Sequence, residues 1–228
     1  RFSSFDIHSP GDKPDVLVAM NPAALKVNLD ELVPNAIVIV NTGNFGSMDL
    51  KKAAYAYNPL DSSDLDGFRV IKIDLNKFTR EALADTGLDS KSQLRCKNFF
   101  ALGMTYWIYS RDLEPTIKWL GHKFAKKPAI VDANVKALKA GYNYCDITGV
   151  FQERFDVPPA ELPAGMYRNI MGNQATSLGC VAAAQKAGLQ LFLGSYPITP
   201  ASDILHQLSA YKNYGVVTFQ AEDEIAAI

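Results

Sequence analysis

Two strand patterns separated by one helical pattern, near the end of the chain, constrain the fold more than any other feature. An apolar run at residues 189–193 has the length and composition of a buried strand. Pro197 and Pro200 end that strand, because proline donates no hydrogen bond to a sheet. Residues 204–208 then place apolar side chains on one helical face, and residues 216–219 form a second, β-branched strand. Strand–helix–strand units of this kind are almost always parallel and right-handed, so the sequence predicts an α/β fold.

The loops that follow these two strands carry the polar residues best suited to chemistry. Thr199 stands directly before Pro200, the pattern of a helix N-cap followed by its first turn. Glu222, Asp223 and Glu224 follow the second strand. Three adjacent acids are not buried without partners, so we expect Glu222 and Asp223 to cap a helix or to pair with a partner chain. Since ligands of open parallel sheets bind at the carboxyl ends of the strands, both loops are expected to face one site.

Residues 1–141 show a second alternation of strand and helix patterns. We predict strands at residues 16–20, 36–40 and 69–73. We predict helices at 28–32 (capped by Asn28), at 76–86 (ending at Gly87) and over 97–142, with breaks at Pro115 and Pro128. This order predicts a mostly parallel sheet covered on both faces, a Rossmann-like domain. A nicotinamide-dependent dehydrogenase has the same alternation, but its Gly-x-Gly-x-x-Gly motif is absent, and we interpret the glycines of residues 41–46 as an ordinary turn with positive φ.

A polar connection separates this domain from the second one. Residues 142–165 contain Pro158, Pro159 and Pro163, which predicts an extended interdomain linker. The second domain covers residues 166–228, and its first helix is expected to end at Gly188. Small and apolar residues recur on this helix at helical spacing, which predicts close packing against a neighbouring surface. They are Ala175, Leu178, Gly179, Ala182 and Ala183.

Composition and charge exclude several classes of protein. A net charge of −1 is unlike the basic excess of a nucleic-acid-binding surface. No apolar run approaches the roughly 18–20 residues of a membrane span, so no membrane association is expected. Cys96, Cys145 and Cys180 lack Cys-x-x-Cys spacing, which predicts free thiols in a reducing cytoplasm. His8, His122 and His206 show no metal-binding spacing, and we expect no metal ligands on this chain.

Three short motifs in the second domain together resemble one protein family. They read Gly-Asn-Gln-Ala at residues 172–175, Tyr-Pro-Ile-Thr-Pro at 196–200 and Gln-Ala-Glu-Asp-Glu-Ile-Ala-Ala at 220–227. These motifs are similar to those of 2-oxoacid:ferredoxin oxidoreductases, most of all the large (alpha) subunit of the 2-oxoglutarate enzyme. The resemblance implies that residues 1–141 are part of a gamma domain. It also implies that residues 166–228 begin the domain that holds the pyrimidine of thiamine diphosphate, so we expect an internal segment of a longer chain.

The resemblance also implies roles for individual residues. Glu224 corresponds to the catalytic glutamate at N1′ of the pyrimidine, and Tyr196 and Pro197 lie in the motif that contacts the cofactor. Thr199 corresponds to the threonine that contacts the 2-oxoacid. From the residues alone, the favoured interpretation of Glu224 is a solvated acid at a helix N-terminus. Thr199 is equally an N-cap, which contributes roughly 1 kcal/mol to helix stability.

The resembling enzymes carry out oxidative decarboxylation of a 2-oxoacid with coenzyme A and ferredoxin, or the reverse reaction. By resemblance, the diphosphate, Mg²⁺ and [4Fe-4S] ligands lie on the small (beta) subunit, and the two subunits form an (alpha-beta)2 heterotetramer. This chain alone is then expected to be inactive. The alternatives are a subunit acting on pyruvate or another 2-oxoacid, and a non-catalytic scaffold subunit. Retention of both Thr199 and Glu224 argues against the scaffold.

Overall fold

The computed structural model describes residues 3–5, 7, 11 and 13–228. The chain divides into two compact units, unit 1 (Arg1–Leu162) and unit 2 (Pro163–Ile228). Within the described ranges, no helix has the length and apolar character needed to span a membrane. Each unit contains its own parallel sheet, which agrees with the α/β class expected from the sequence.

The described residues of unit 1 form a sheet of three parallel strands, with β2 in the centre. The strands are β1 (Val16–Ala19), β2 (Ile37–Asn41) and β3 (Arg69–Ile73). All three predicted strands are confirmed to within one residue at each end. Every residue of β2 is buried, because this strand has a neighbour on each side and packed side chains on both faces.

Seven α-helices accompany this sheet in the described part of unit 1. They are α1 (Pro22–Asn28), α2 (Ser47–Lys52), α3 (Leu75–Ala82), α4 (Ser90–Arg95), α5 (Lys97–Ile108), α6 (Glu114–Lys123) and α7 (Pro128–Thr148). Alternate residues of β2 serve opposite faces: Ile39 packs in one core with Phe100 and Met104 of α5, and Val38 packs in the other with Leu25 of α1. Both faces are therefore covered, as predicted.

The helices α5 and α7 approach each other closely at two glycines. A Cβ on Gly103 would lie 2.0 Å from the carbonyl oxygen of Leu138, and a Cβ on Gly141 would lie 1.9 Å from that of Phe100. Only glycine allows the two backbones to come this near. Leu138 and Phe100 are both fully buried.

Two predicted helices of unit 1 have different boundaries. The first begins at Pro22, where the Asn21 side chain accepts a hydrogen bond of 2.9 Å from the Ala24 amide. Asn21-Pro22 provides the cap and the preorganised first turn of this helix, and Asn28 is its last residue. The predicted range 28–32 holds only a short 3-10 helix, Leu29–Glu31, with Asn28 in its N-cap position but without a side-chain capping hydrogen bond. The predicted helix 76–86 ends at Ala82, and a short turn separates it from Gly87, whose φ is +66°. Pro115 and Pro128 lie in the first turns of α6 and α7, consistent with the predicted breaks.

The predicted linker 142–165 begins too early. The helix α7 continues to Thr148, because Cys145 faces the core and is fully buried. Beyond it, Phe151 is also buried, and the guanidinium of Arg154 lies 4.7 Å from the centre of the Trp107 ring. The residues up to 155 therefore belong to the packed part of unit 1, and the division of the chain falls after Leu162.

Unit 2 contains two parallel strands and three helices. They are α8 (Gly172–Ala187), β4 (Phe192–Ser195), α9 (Ser202–Ser209), β5 (Val217–Gln220) and α10 (Glu224–Ala227). Gly188, with φ of +69°, ends α8 as predicted. Leu205 and Leu208 of α9 are buried as the spacing indicated.

Burial in unit 2 differs from the prediction in two places. The predicted small-residue face of α8 is exposed in this unit, while Ser177 on another face is fully buried. Its packing against a neighbour therefore stays a prediction. The apolar strands are also less covered than expected, with Phe192 61% and Phe219 52% exposed. Both belong to one sheet face, since Phe192 and Gly194 stand opposite Val217 and Phe219.

Candidate functional site

The carboxyl ends of β4 and β5 lie side by side. Ser195 stands opposite Gln220 in the parallel register, and the Ala221 amide donates a 2.7 Å hydrogen bond to the Ser195 carbonyl. The segments 196–200 and 221–224 therefore leave the sheet at the same edge. The structure brings together the two loops that the sequence placed at one site.

The first loop holds Thr199 in a turn ahead of α9. The carbonyl of Ile198 accepts hydrogen bonds from both the backbone nitrogen and the hydroxyl of Ser202, at 2.8 and 3.0 Å. This turn delays the start of the helix to Ser202, so the prediction of Thr199 as its N-cap is wrong. Thr199 is exposed, its peptide bond to Pro200 is cis, and its hydroxyl has no partner among the described residues.

The motif at residues 172–175 contacts this loop directly. The side-chain amide of Asn173 donates a 3.0 Å hydrogen bond to the carbonyl of Pro200. Asn173 in turn is fixed by α8, where its own carbonyl accepts a 2.9 Å hydrogen bond from the buried Ser177 hydroxyl. In the sequence, residues 172–175 served only as one of the motifs that carry the family resemblance. The contact between Asn173 and Pro200 spans 27 residues, and no local pattern indicates it.

The second loop leads into α10 and presents Glu224. Asp223 is the N-cap of this helix, and its carboxylate accepts a 2.8 Å hydrogen bond from the Ala226 amide. The expectation that Asp223 caps a helix is thus confirmed. Glu222 and Glu224 are both exposed, and neither makes a hydrogen bond or ion pair within the described part of the chain. Because Asp223 and not Glu224 forms the helix cap, the carboxylate of Glu224 remains available to a ligand.

A close backbone contact places α10 on the sheet. A Cβ on Gly194 would lie 2.5 Å from the carbonyl oxygen of Ala227, the last residue of α10. Gly194 therefore allows the helix that begins at Glu224 to cross β4. No sequence pattern singles out Gly194, because a close approach of distant backbone leaves no local signal.

Unit 1 has a polar cluster at the carboxyl ends of its own strands. The Asn41 side chain is fully buried and accepts a 3.0 Å hydrogen bond from the Leu75 amide. The Asn76 amide donates to Asn44 at 2.7 Å. Gly43 lies in this turn without positive φ, and a Cβ there would meet the Asp74 carboxylate at 2.3 Å. The predicted turn is present, but its glycine serves close packing and not a left-handed backbone.

Metal-binding side chains do not converge in the part of the chain that the structure describes. No group of three or more His, Cys, Asp or Glu there has a metal-binding arrangement. His8 lies outside the described residues. Cys96 and Cys145 are buried in unit 1, and Cys180 is half-buried in unit 2.

Family comparison identifies the class to which this fold and site belong. Residues 1–144 match the family model of pyruvate ferredoxin/flavodoxin oxidoreductases. Residues 182–228 match the model of the thiamine diphosphate-binding domain of pyruvate flavodoxin/ferredoxin oxidoreductases. The chain therefore belongs to the pyruvate ferredoxin/flavodoxin oxidoreductase family, which confirms the predicted resemblance. The second match contains both strands of unit 2 and the two loops at their carboxyl ends.

Two curated relatives show how similar the chain is to individual proteins. The chain is 50% identical over all 228 residues to 2-oxoglutarate oxidoreductase subunit KorA of Mycobacterium tuberculosis, of which it covers 35%. It is 25% identical over an alignment of 177 residues to 2-oxoacid:ferredoxin oxidoreductase 2, subunit alpha, of Aeropyrum pernix, and the match covers 71% of this chain and 27% of that protein. The chain thus spans about a third of the length of these curated relatives.

A solved structure shares the fold. It is the 2-oxoglutarate:ferredoxin oxidoreductase of Magnetococcus marinus, solved with 2-oxoglutarate, coenzyme A and succinyl-CoA bound. The superposition covers 98% of this chain and 34% of that one, with a TM-score of 0.71 and 24% sequence identity. This agreement confirms the predicted α/β architecture across both units.

Proposed function

We propose that this chain is part of the large subunit of a thiamine diphosphate-dependent 2-oxoglutarate:ferredoxin oxidoreductase. The reaction is the oxidative decarboxylation of 2-oxoglutarate with coenzyme A, which yields succinyl-CoA, CO₂ and reduced ferredoxin, or its reverse. The observation that carries the proposal is the 50% identity, over the full 228 residues, to a 2-oxoglutarate oxidoreductase subunit. Glu224 and Thr199, which follow adjacent parallel strands, supply suitable side chains for such a site.

Glu224 fits the pyrimidine end of the cofactor. Its carboxylate is exposed, lies beyond the carboxyl end of β5, and is not used by the helix cap that Asp223 provides. When bound, thiamine diphosphate supplies a carbon nucleophile that forms when its C2 proton is lost. In this proposal Glu224 holds and exchanges a proton at N1′ of the pyrimidine. Tyr196 and Pro197, at the carboxyl end of β4, contact the cofactor beside it.

Thr199 is the proposed contact to the 2-oxoacid. Its hydroxyl is exposed and has no partner among the described residues, so it can donate a hydrogen bond to a substrate carboxylate. The role no longer depends on a helix N-terminus, since α9 begins only at Ser202. The hydroxyl itself, held at the sheet edge, is the proposed recognition element.

The remaining groups of the site are proposed to come from a small beta subunit. That subunit would hold the diphosphate, Mg²⁺ and a [4Fe-4S] cluster, and the two subunits would form an (alpha-beta)2 heterotetramer in the cytoplasm. The relatives of this chain are named as subunits, which supports a multi-subunit enzyme. Coenzyme A and ferredoxin are the proposed co-substrate and electron acceptor.

The alternative substrate is pyruvate, for which the matching family is named. Ferredoxin reduction by the assembled enzyme, measured with 2-oxoglutarate and with pyruvate at equal concentrations, separates the two. We expect the 2-oxoglutarate reaction to dominate. A faster pyruvate reaction would reassign the substrate and leave the cofactor chemistry unchanged.

Substitution of Glu224 tests the enzymatic proposal itself. Glu224→Gln keeps the shape of the side chain and removes the carboxylate, so the exchange of the C2 proton of bound thiamine diphosphate for deuterium should slow by orders of magnitude. Glu222→Gln makes the same change on a neighbouring exposed carboxylate and should leave the exchange rate unchanged. Assembly with the small subunit is checked by size-exclusion chromatography. Wild-type exchange in an assembled Glu224→Gln enzyme would refute the assignment and favour a scaffold subunit.

A further inference from the structure

We infer that Asn173 is a positioning residue for the proposed substrate contact, Thr199. This inference rests on the proposed function. The side-chain amide of Asn173 donates a 3.0 Å hydrogen bond to the carbonyl of Pro200, the residue directly after Thr199. Asn173 thereby joins the first turn of α8 to the loop at the carboxyl end of β4.

Hydrogen bonds fix the loop on both sides of Thr199. On one side, the carbonyl of Ile198 accepts two hydrogen bonds from Ser202, at 2.8 and 3.0 Å. On the other side, the carbonyl of Pro200 accepts hydrogen bonds from the Asn173 side chain, at 3.0 Å, and from the Asp203 amide of α9, at 3.3 Å. Thr199 has no hydrogen bond of its own among the described residues, so its position depends on these two neighbours. The Asn173 bond is the part of this arrangement that comes from outside the loop and α9.

Asn173 is held in place by hydrogen bonding within α8. It is the second residue of α8, and its carbonyl accepts a 2.9 Å hydrogen bond from Ser177. Ser177 is fully buried, although its neighbours along the exposed faces of α8 are not. Asn173 is half-buried, although its hydrogen bond to the exposed Pro200 lies at the surface. A rigid helix therefore holds the donor, and the loop receives the hydrogen bond.

The sharpest test is Asn173→Asp. The substitution keeps the size and shape of the side chain but removes the N–H donor, and it leaves a carboxylate facing the Pro200 carbonyl. A carboxylate in the first turn of a helix is favourable, so α8 should not lose stability. The matched control is Gln174→Glu, which makes the same amide-to-carboxylate change at the next residue of α8, where the described structure shows no side-chain hydrogen bond.

The first measurement uses the enzyme assembled with its small subunit. Loss of one positioning hydrogen bond should raise the KM for 2-oxoglutarate by about 2- to 10-fold in Asn173→Asp. The affinity for thiamine diphosphate and the melting temperature should stay near wild type. Gln174→Glu should leave all three quantities unchanged. A wild-type KM in Asn173→Asp, or an equal rise in Gln174→Glu, would overturn the inference.

The second measurement does not depend on the reaction. Amide hydrogen–deuterium exchange in residues 196–202 of the unliganded chain should be faster in Asn173→Asp than in wild type, and unchanged in Gln174→Glu. Unchanged exchange in Asn173→Asp would overturn the positioning role. If the wild-type complex turns over no 2-oxoacid, the proposed function fails. The exchange measurement still decides whether Asn173 holds the loop.

Discussion

An alanine at Gly103 should destabilise unit 1, although alanine is the better helix former. The glycine lies in α5, where it faces the backbone of α7. A Cβ at this position would lie 2.0 Å from the Leu138 carbonyl oxygen and 2.8 Å from the Tyr142 nitrogen. Neither contacted atom belongs to a side chain that could rotate away. The two helices must therefore separate.

The size of the effect follows from these distances. Ordinary contacts of a Cβ begin at 3.4 Å, so α5 and α7 must move apart by about 1.4 Å, the difference between 3.4 and 2.0 Å. Overpacking of this kind costs about 1–3 kcal/mol, and a contact to fixed backbone places it at the upper end. The higher helix propensity of alanine offsets about 1 kcal/mol. We expect a net loss of about 2 kcal/mol in the free energy of unfolding.

Urea denaturation followed by tryptophan fluorescence measures this loss in unit 1 specifically. The chain contains two tryptophans, Trp107 in α5 and Trp119 in α6, and both belong to unit 1. Gly121→Ala is the matched control, because a Cβ there has no atom within 4 Å. Gly121 lies inside α6, so its replacement by alanine should raise the free energy of unfolding by about 1 kcal/mol. Equal stability of Gly103→Ala and Gly121→Ala would refute the close-approach argument.

The second close contact between α5 and α7, at Gly141, provides an internal check. Gly141→Ala should also destabilise unit 1, since its Cβ would lie 1.9 Å from the Phe100 carbonyl oxygen. Both substitutions force the same two helices apart. The double variant should therefore lose less than the sum of the two single losses. Strict additivity would show that the two glycines relax independently.

Three further predictions concern other parts of the chain. Gly194→Ala should displace α10 from β4 and speed amide exchange in residues 221–228, and a wild-type exchange pattern would contradict the close approach. Iodoacetamide at pH 8 should label Cys180 before Cys96 and Cys145, as measured by mass spectrometry. Burial raises the pKa of both Cys96 and Cys145, that of Cys145 to about 12, so their reactive thiolate forms stay scarce at this pH. Asn21→Ala should lower the free energy of unfolding of unit 1 by about 1 kcal/mol through loss of the α1 cap, and an unchanged urea midpoint would contradict that role.

Local signals were enough to locate most of the elements. The strand β3 was predicted at its observed bounds, because a short apolar and β-branched run suits a pleated, partly buried surface. The parallel pairing of β4 and β5 followed from the handedness of strand–helix–strand connections. That pairing places Thr199 and Glu224 at one sheet edge. Their proposed roles toward the cofactor and substrate rest only on the family resemblance.

Boundaries and burial needed the folded structure. The sequence ended the helical region at residue 142, yet α7 continues to Thr148 because Cys145 meets the core of unit 1. Helical spacing indicated a packed face on α8, but it could not show that the structure buries Ser177 instead. Periodicity identifies an apolar face, while the identity of the surface that covers it depends on residues far away in the sequence.

Contacts between distant residues were decided by the tertiary structure alone. The sequence alone predicts two α/β units with polar loops after parallel strands, because strand, helix and turn preferences act over a few neighbouring residues. The amide of Asn173 meets Pro200 across 27 residues, and α10 reaches Gly194 from the far end of unit 2. Such contacts depend on how whole helices and strands pack, so the residue type at one position does not indicate them. They nevertheless set the position of Thr199 and of the helix that begins with Glu224.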